Sequence, residues 1–392
     1  MWGTQMWGTQ MWGHADVGLR IGAGIHRRGA GSVCDNSDVS SWSRSGDRHV
    51  RATALTSVAW IVAAICVMVL SVVPAAVASA APATAPPQPA ESVEVGPYAV
   101  TDTVTTASCA GSLYGQYQIM SAKGYVTAPL RCTDNFPYGT ATPVDVHFTY
   151  PTSGAGPFPL VVLVPGFTGN PGYFDATARI YASFGFVVAV AFDALNLTPE
   201  SHLLGISAAY QQNNDPHSPL HHRIDLRRTI VGGHSAGAAA ALQTAQLAGP
   251  LEQATSGQVR LAAAMSIQPA AATMLISGGA ISIPTFLLAG ELDNTATPAS
   301  VRALYEQMSG PAWFAMLTGA HHLTSIDAPE YNGFLNGETA WLRFVAGDDS
   351  ACRYFAGGQW SPRVFPNFSE FDRNRAAASS PCPRSPRTDH LA

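Results

Sequence analysis

Residues 229–238 read Thr229-Ile230-Val231-Gly232-Gly233-His234-Ser235-Ala236-Gly237-Ala238. A short apolar run suited to a buried strand passes into a G-x-S-x-G pattern and then, without a spacer, into an Ala-rich helix expected over Ala236–Leu247 and stopped by Gly249-Pro250. At such a strand–turn–helix elbow the serine sits in a strained backbone conformation, so its neighbours two positions away must be small for the chain to cross. Gly233 and Gly237 meet that demand. The bland alternative is a Gly-rich turn carrying an ordinary exposed serine; the strand before and the helix after favour a nucleophile at Ser235.

Outward from this point, strand-like and helix-like segments alternate. Pro143–Tyr150 alternates apolar and polar as a half-buried strand should, and Leu160–Val164, Phe186–Ala191, Leu261–Ile267, Pro284–Ala289 and Trp313–Leu317 are apolar runs suited to strands. Helical spacing falls on Tyr173–Phe184 and Pro298–Met308, and Thr339–Val345 begins the last helix. The alternation predicts an α/β fold, a mostly parallel central sheet with helices on both faces. Residues 194–222 read as a long polar stretch whose relation to the site, as a lid or otherwise, stays open.

A serine hydroxyl is a weak nucleophile until a histidine takes its proton, and the histidine needs a carboxylate to fix its tautomer. In a fold of this kind the chain order is serine, acid, histidine. The run Pro284–Ala289 leads into Gly290-Glu291-Leu292-Asp293, which makes Asp293 the expected acid and Glu291 the runner-up. Trp313–Leu317 leads into Thr318-Gly319-Ala320-His321-His322, which supplies the base. Two backbone N–H groups are needed for the oxyanion. Ala236 follows the serine directly, and Phe167 lies in the Pro165-Gly166-Phe167-Thr168-Gly169 turn after Leu160–Val164. An ordinary Pro-Gly turn is the alternative there. His234 is expected to pack or hydrogen-bond near the site rather than act as base, and Asp193 to be structural. His217, His221 and His222 lack the cysteine or carboxylate company of a zinc site, so neither metal nor cofactor is expected.

The chain has 392 residues, 47% hydrophobic and only 12% charged, which excludes disorder from excess charge over most of its length. Twenty-one Lys+Arg stand against 26 Asp+Glu, for a net charge of −5, so the basic footprint of a nucleic-acid binder is missing. The first eighty residues stand apart. A Met-Trp-Gly-Thr-Gln repeat opens the chain, and residues 1–51 are expected to be a disordered extension. Residues 52–80 read as a signal peptide: an apolar core at Trp60–Val73, Pro74, and Ala78-Ser79-Ala80 as a small-x-small cleavage site behind Arg44, Arg48 and Arg51. A retained membrane anchor is the alternative. A Pro/Ala linker (81–95), one catalytic domain (96–383) and a disordered tail (384–392) complete the expected organisation of a secreted monomer. Cleavage leaves Cys109, Cys132, Cys352 and Cys382, an even number that favours disulfides in an oxidising compartment. Of the three connectivities, pairing sequence neighbours closes the two shortest loops.

Between Gly96 and Cys382 these residues resemble the secreted cutinase-like polyester (PET) hydrolases of the α/β-hydrolase fold. The resemblance rests on Pro165-Gly166-Phe167-Thr168, Ala182-Ser183-Phe184-Gly185-Phe186-Val187-Val188, Gly233–Gly237, Glu291-Leu292-Asp293 and Gly319-Ala320-His321-His322. It implies cleavage of carboxylic esters through an acyl-enzyme on Ser235, places the base at His322 rather than His321, puts an aromatic oxyanion residue at Phe167, and implies a C-terminal disulfide that Cys352 and Cys382 fit. An acyltransferase on the same fold and a non-catalytic exported binding protein are the competing classes. Two features depart from the pattern. Where members active on aromatic polyesters carry a tryptophan, this chain reads Gln268-Pro269-Ala270-Ala271-Ala272. The cleft walls near Phe167, Ala236 and Gln268–Ala272 are therefore expected to be small and apolar with one aromatic face, favouring short acyl esters and aliphatic polyesters over aromatic ones. Residues 109–132, with their cysteine pair, look like an addition.

Overall fold

The computed structural model describes residues 93–383 apart from 104–105, 110–118, 121, 128, 134–144, 194, 271–275, 359 and 362. The extension, the signal segment, most of the linker and the tail lie outside the described residues, as do Pro143 and the loop positions Ala271 and Ala272.

A nine-stranded sheet organises the chain, in the order β1-β4-β6-β5-β7-β8-β9-β10-β11. Its strands are β1 (Val100–Asp102), β4 (Asp145–Pro151), β5 (Phe158–Val164), β6 (Val187–Phe192), β7 (Ile224–His234), β8 (Leu261–Ile267), β9 (Thr285–Gly290), β10 (Ala312–Leu317) and β11 (Phe368–Arg373). The six central strands are mutually parallel, and β1, β4 and β11 close the edges antiparallel. This is the mostly parallel α/β sheet the alternation predicts. All seven residues of β5 are buried. Val161 and Leu163 enter one core cluster while Leu160, Val162 and Val164 enter the other, as the two-residue period requires. Covering both faces is what makes the central strands continuous apolar runs.

Helices α1 (Asp175–Ser183), α2 (Pro199–Asn214), α3 (Ala236–Ala245), α4 (Ala248–Ala254), α5 (Pro298–Glu306), α6 (Leu335–Val345) and α7 (Asp349–Phe355) follow in chain order. Three expectations need correction. The polar stretch after β6 contains α2, which packs on β5, β6, β7 and α3. Its approach is close because Gly205 has no side chain: a Cβ there would sit 2.5 Å from a Val162 methyl. Gly249-Pro250 does not end the helical region. Pro250 occupies the first turn of α4, where its missing N–H costs nothing because those donors have no intrahelical partner. The last helix is not the end either, since α7 and the edge strand β11 follow.

Before β4, a two-stranded ribbon pairs β2 (Thr106–Ser108) with β3 (Arg131–Thr133). The Cys109–Cys132 disulfide closes it, and Cys352–Cys382 ties the C-terminal segment to α7. Both pairings are those of sequence neighbours. Among the described residues no helix is long and apolar enough to cross a membrane.

Candidate active site

Strand β7 ends at His234 and α3 begins at Ala236, which leaves Ser235 alone in the turn with φ 56° and ψ −117°. For a non-glycine residue that left-handed backbone is strained and persists only where its surroundings enforce it. The enforcement is steric. A Cβ on Gly237 would lie 2.0 Å from the Val164 carbonyl oxygen, and one on Gly233 would lie 2.4 Å from the same atom. Both contacts are with backbone, so nothing can give way. On the other side, Gly166 lets its loop approach to where a Cβ would stand 3.1 Å from that of Ser235.

Strands β9 and β10 deliver the other two groups at their C-terminal ends, where ligands gather in parallel sheets. His322 Nε2 is 2.8 Å from Ser235 Oγ, and His322 Nδ1 is 2.8 Å from Asp293 Oδ2. Asp293 is 2% exposed. Burial pushes its carboxyl up, but the hydrogen bond and charge of His322 and the N–H groups of Ala296 and Thr295 outweigh it and hold the group below the usual carboxylate range. The runner-up, Glu291, turns away and accepts the Gly319 N–H at 2.8 Å. His321 does not join the chain; its Nδ1 accepts the Leu323 N–H at 3.2 Å. His234 is buried, and Nε2 donates to the His322 carbonyl oxygen at 2.6 Å. Burial and the neighbouring His322 lower its pKa to about 3, so it braces His322 as a neutral ring.

One partner escaped the sequence reading. Gln268, fully buried with φ 51°, donates through Nε2 to Asp293 Oδ2 and to the His321 carbonyl oxygen, each at 2.8 Å. It therefore holds Asp293 and the histidine loop together. No sequence signal marks it, because a lone glutamine after a strand has many uses.

The N–H groups of Phe167 and Ala236 have no protein acceptor among the described residues. The Phe167 loop is fixed from below: Asn196 Nδ2 donates to the Gly166 carbonyl oxygen at 2.8 Å, and Asp193 in turn accepts the N–H groups of Leu195 and Asn196 and the Ser201 hydroxyl. Asp193 thus has the structural position expected of it.

Ser235 opens onto a cleft of about 450 Å³. Its walls differ from the expected ones. Gln268 and Ala270 are buried beneath the site, and neither they nor Ala236 line the cleft. Phe167 is not the only aromatic face either, because Tyr125 and Tyr173 line it too. The reason is that Ala122, Tyr125 and Leu130, within the 109–132 segment read as an unexplained addition, fold back against the site. Tyr125, Phe167 and Leu292 are all exposed large apolar side chains on this rim. Elsewhere, His221 and His222 stack ring on ring, and no group of three or more His, Cys, Asp or Glu suited to a metal ion occurs among the described residues.

A mostly parallel sheet with a strained serine between its central strand and the following helix defines the α/β-hydrolase class. Within that class, a family model described as PET hydrolase-like matches residues 118–375, and the chain belongs to this family of ester hydrolases. No curated protein matches it.

Proposed function

We propose that the protein is a secreted carboxylic ester hydrolase acting through an acyl-enzyme on Ser235, with Asp293 and His322 completing a catalytic triad. One observation carries this reading: the unbroken hydrogen-bonded series Ser235 Oγ–His322 Nε2 and His322 Nδ1–Asp293 Oδ2, open to a cleft with an apolar rim. His322 takes the Ser235 proton as Oγ attacks the ester carbon. The oxyanion is met by the N–H groups of Phe167 and Ala236, and Asp293 stabilises the imidazolium. Collapse of the tetrahedral intermediate breaks the carbon–oxygen bond, and His322 gives its proton to the departing alcohol. Water, deprotonated by the same imidazole, then attacks the acyl-enzyme and releases the acid and free Ser235. The accessible apolar rim supports polyesters as substrates alongside short acyl esters, and export is proposed with cleavage after Ala80. A fluorophosphonate probe together with ester turnover tests the reading. Wild type should be labelled on Ser235 and hydrolyse short esters, and Ser235→Ala should do neither. A Ser235→Ala variant that keeps turnover would end it.

A further inference from the structure

The described residues between Cys109 and Cys132 have no part in the mechanism above, yet they are built into the molecule. Cys109, Ala122, Leu130 and Cys132 are all buried in the core cluster that holds α1 and α6. The segment is closed by the Cys109–Cys132 disulfide and by the Cys109 N–H to the Leu130 carbonyl oxygen. Its return arm is clasped to the loop that carries the two histidines. The Asp327 carboxylate accepts the Thr127 N–H at 2.8 and 2.9 Å and the Thr127 hydroxyl at 2.9 Å. Hydrogen bonds to an ionised carboxylate are the strong kind.

Two residues before that clasp, the Tyr125 ring meets His321 edge to face, with centroids 5.3 Å apart and planes at 69°. Tyr125 is 53% exposed and faces the same cleft as Ser235. His321 is half-buried, which lowers its pKa against the opposing pull of Asp327 and Asp293, and its Nδ1 is occupied as an acceptor. The Tyr125 ring is thus a flat aromatic face held from behind by the edge-on His321 imidazole. Tyrosine offers such a face at low entropic cost, since only two torsions must be ordered.

We propose that Tyr125, seated on His321, is a specificity-determining residue that binds a flat aromatic ring on the leaving-group side of the scissile ester. The inference rests on the ester-hydrolase reading. The side follows from the chemistry. His322 must hand its proton to the departing oxygen, so the alcohol portion leaves past His322 and the wall beside it. The acyl carbon meanwhile stays over Ser235 and the Phe167 and Ala236 N–H groups.

The test compares kcat/KM for 2-phenylethyl butyrate and n-butyl butyrate in wild type, Tyr125→Ala, Tyr125→Leu and Tyr125→Phe. The aryl-to-alkyl ratio should fall roughly tenfold in Tyr125→Ala, mainly through KM, as loss of an aromatic contact predicts. Tyr125→Phe should hold the ratio within about twofold of wild type, and Tyr125→Leu, which keeps the bulk, should still lose most of it. An unmoved ratio in both Ala and Leu variants overturns the proposal. So does an equal fall in Tyr125→Phe, or a fall confined to ethyl 3-phenylpropanoate, whose ring lies on the acyl side. Fluorophosphonate labelling separates the two levels of failure. Labelled variants with an unmoved ratio refute the subsite alone, whereas an unlabelled wild type refutes the hydrolase reading.

Discussion

Replacing Gln268 by methionine removes two donors at once from the base of the site. Both hydrogens of Nε2 are used, one on Asp293 Oδ2 and one on the His321 carbonyl oxygen, at 2.8 Å each. Methionine keeps the length of the side chain and supplies neither. Asp293 still accepts His322 at Oδ2 and the Thr295 and Ala296 N–H groups at Oδ1, so what the variant removes is the tie between Asp293 and the His321 loop. A hydrogen bond to a charged group contributes about 1.5–3 kcal/mol. If that energy holds His322 in line with Ser235, its loss lowers kcat by roughly 10- to 100-fold. Loss of a triad acid costs about 10⁴-fold, which bounds the effect from above. Steady-state kinetics on p-nitrophenyl butyrate reads kcat and KM separately, with circular dichroism to verify folding. A folded Gln268→Met enzyme with kcat within about threefold of wild type, or one whose loss falls on KM rather than kcat, would refute the assignment of Gln268 as a positioning residue.

The adjacent histidines should part in the same assay: His322→Ala lowers kcat by roughly 10³-fold or more, whereas His321→Ala costs less than about tenfold on a small ester, and the reverse ranking would assign the base to His321. Glu338 makes a prediction about stability. Burial lifts its carboxyl from 4.5 to about 7 against the pull of the Tyr181 hydroxyl, which donates to it at 2.6 Å. Between those values the native state holds a proton that the unfolded chain has released, so stability falls as pH rises through that window and is level above it. Glu338→Gln keeps an acceptor for Tyr181 and should gain at most about 3 kcal/mol in urea unfolding at pH 8 and little at pH 4; equal gains at both pH values would sink the argument.

The central strands were legible because a strand covered on both faces leaves a continuous apolar run, as in Leu160–Val164 and Leu261–Ile267. Ser235, Asp293 and His322 were legible because each follows the C-terminal end of a parallel strand, and the fold brings them within hydrogen-bond distance. Helix α2 was hidden by its own packing. The residues it buries are Ser201, His202, Gly205, Ile206 and Ala209, a face that is small and polar rather than an apolar stripe. Strand β11 was hidden because, at the edge, only Phe368 and Phe371 of its six residues are buried, a spacing that is not the strand's period of two. The cleft wall at Tyr125 could not be read at all. Its position depends on a disulfide and on the Asp327 clasp, contacts that span up to 200 residues of chain.

The placement of α2 also bears on how the cleft rim meets an apolar surface. The helix lies against β5, β6 and β7, and none of its residues lines the cleft. Tyr125, Phe167 and Leu292 are therefore in contact with water whether or not an interface is near. Adsorption to an apolar surface then needs no prior uncovering by this helix, and each square ångström of that rim removed from water contributes directly, at about 25 cal/mol. The same exposed rim is a standing incentive for two molecules to stick face to face at high concentration. Under the proposed function, soluble ester and polymer surface compete for one patch that α2 leaves uncovered, and residence on a polymer is set by wetting rather than by a conformational switch in α2.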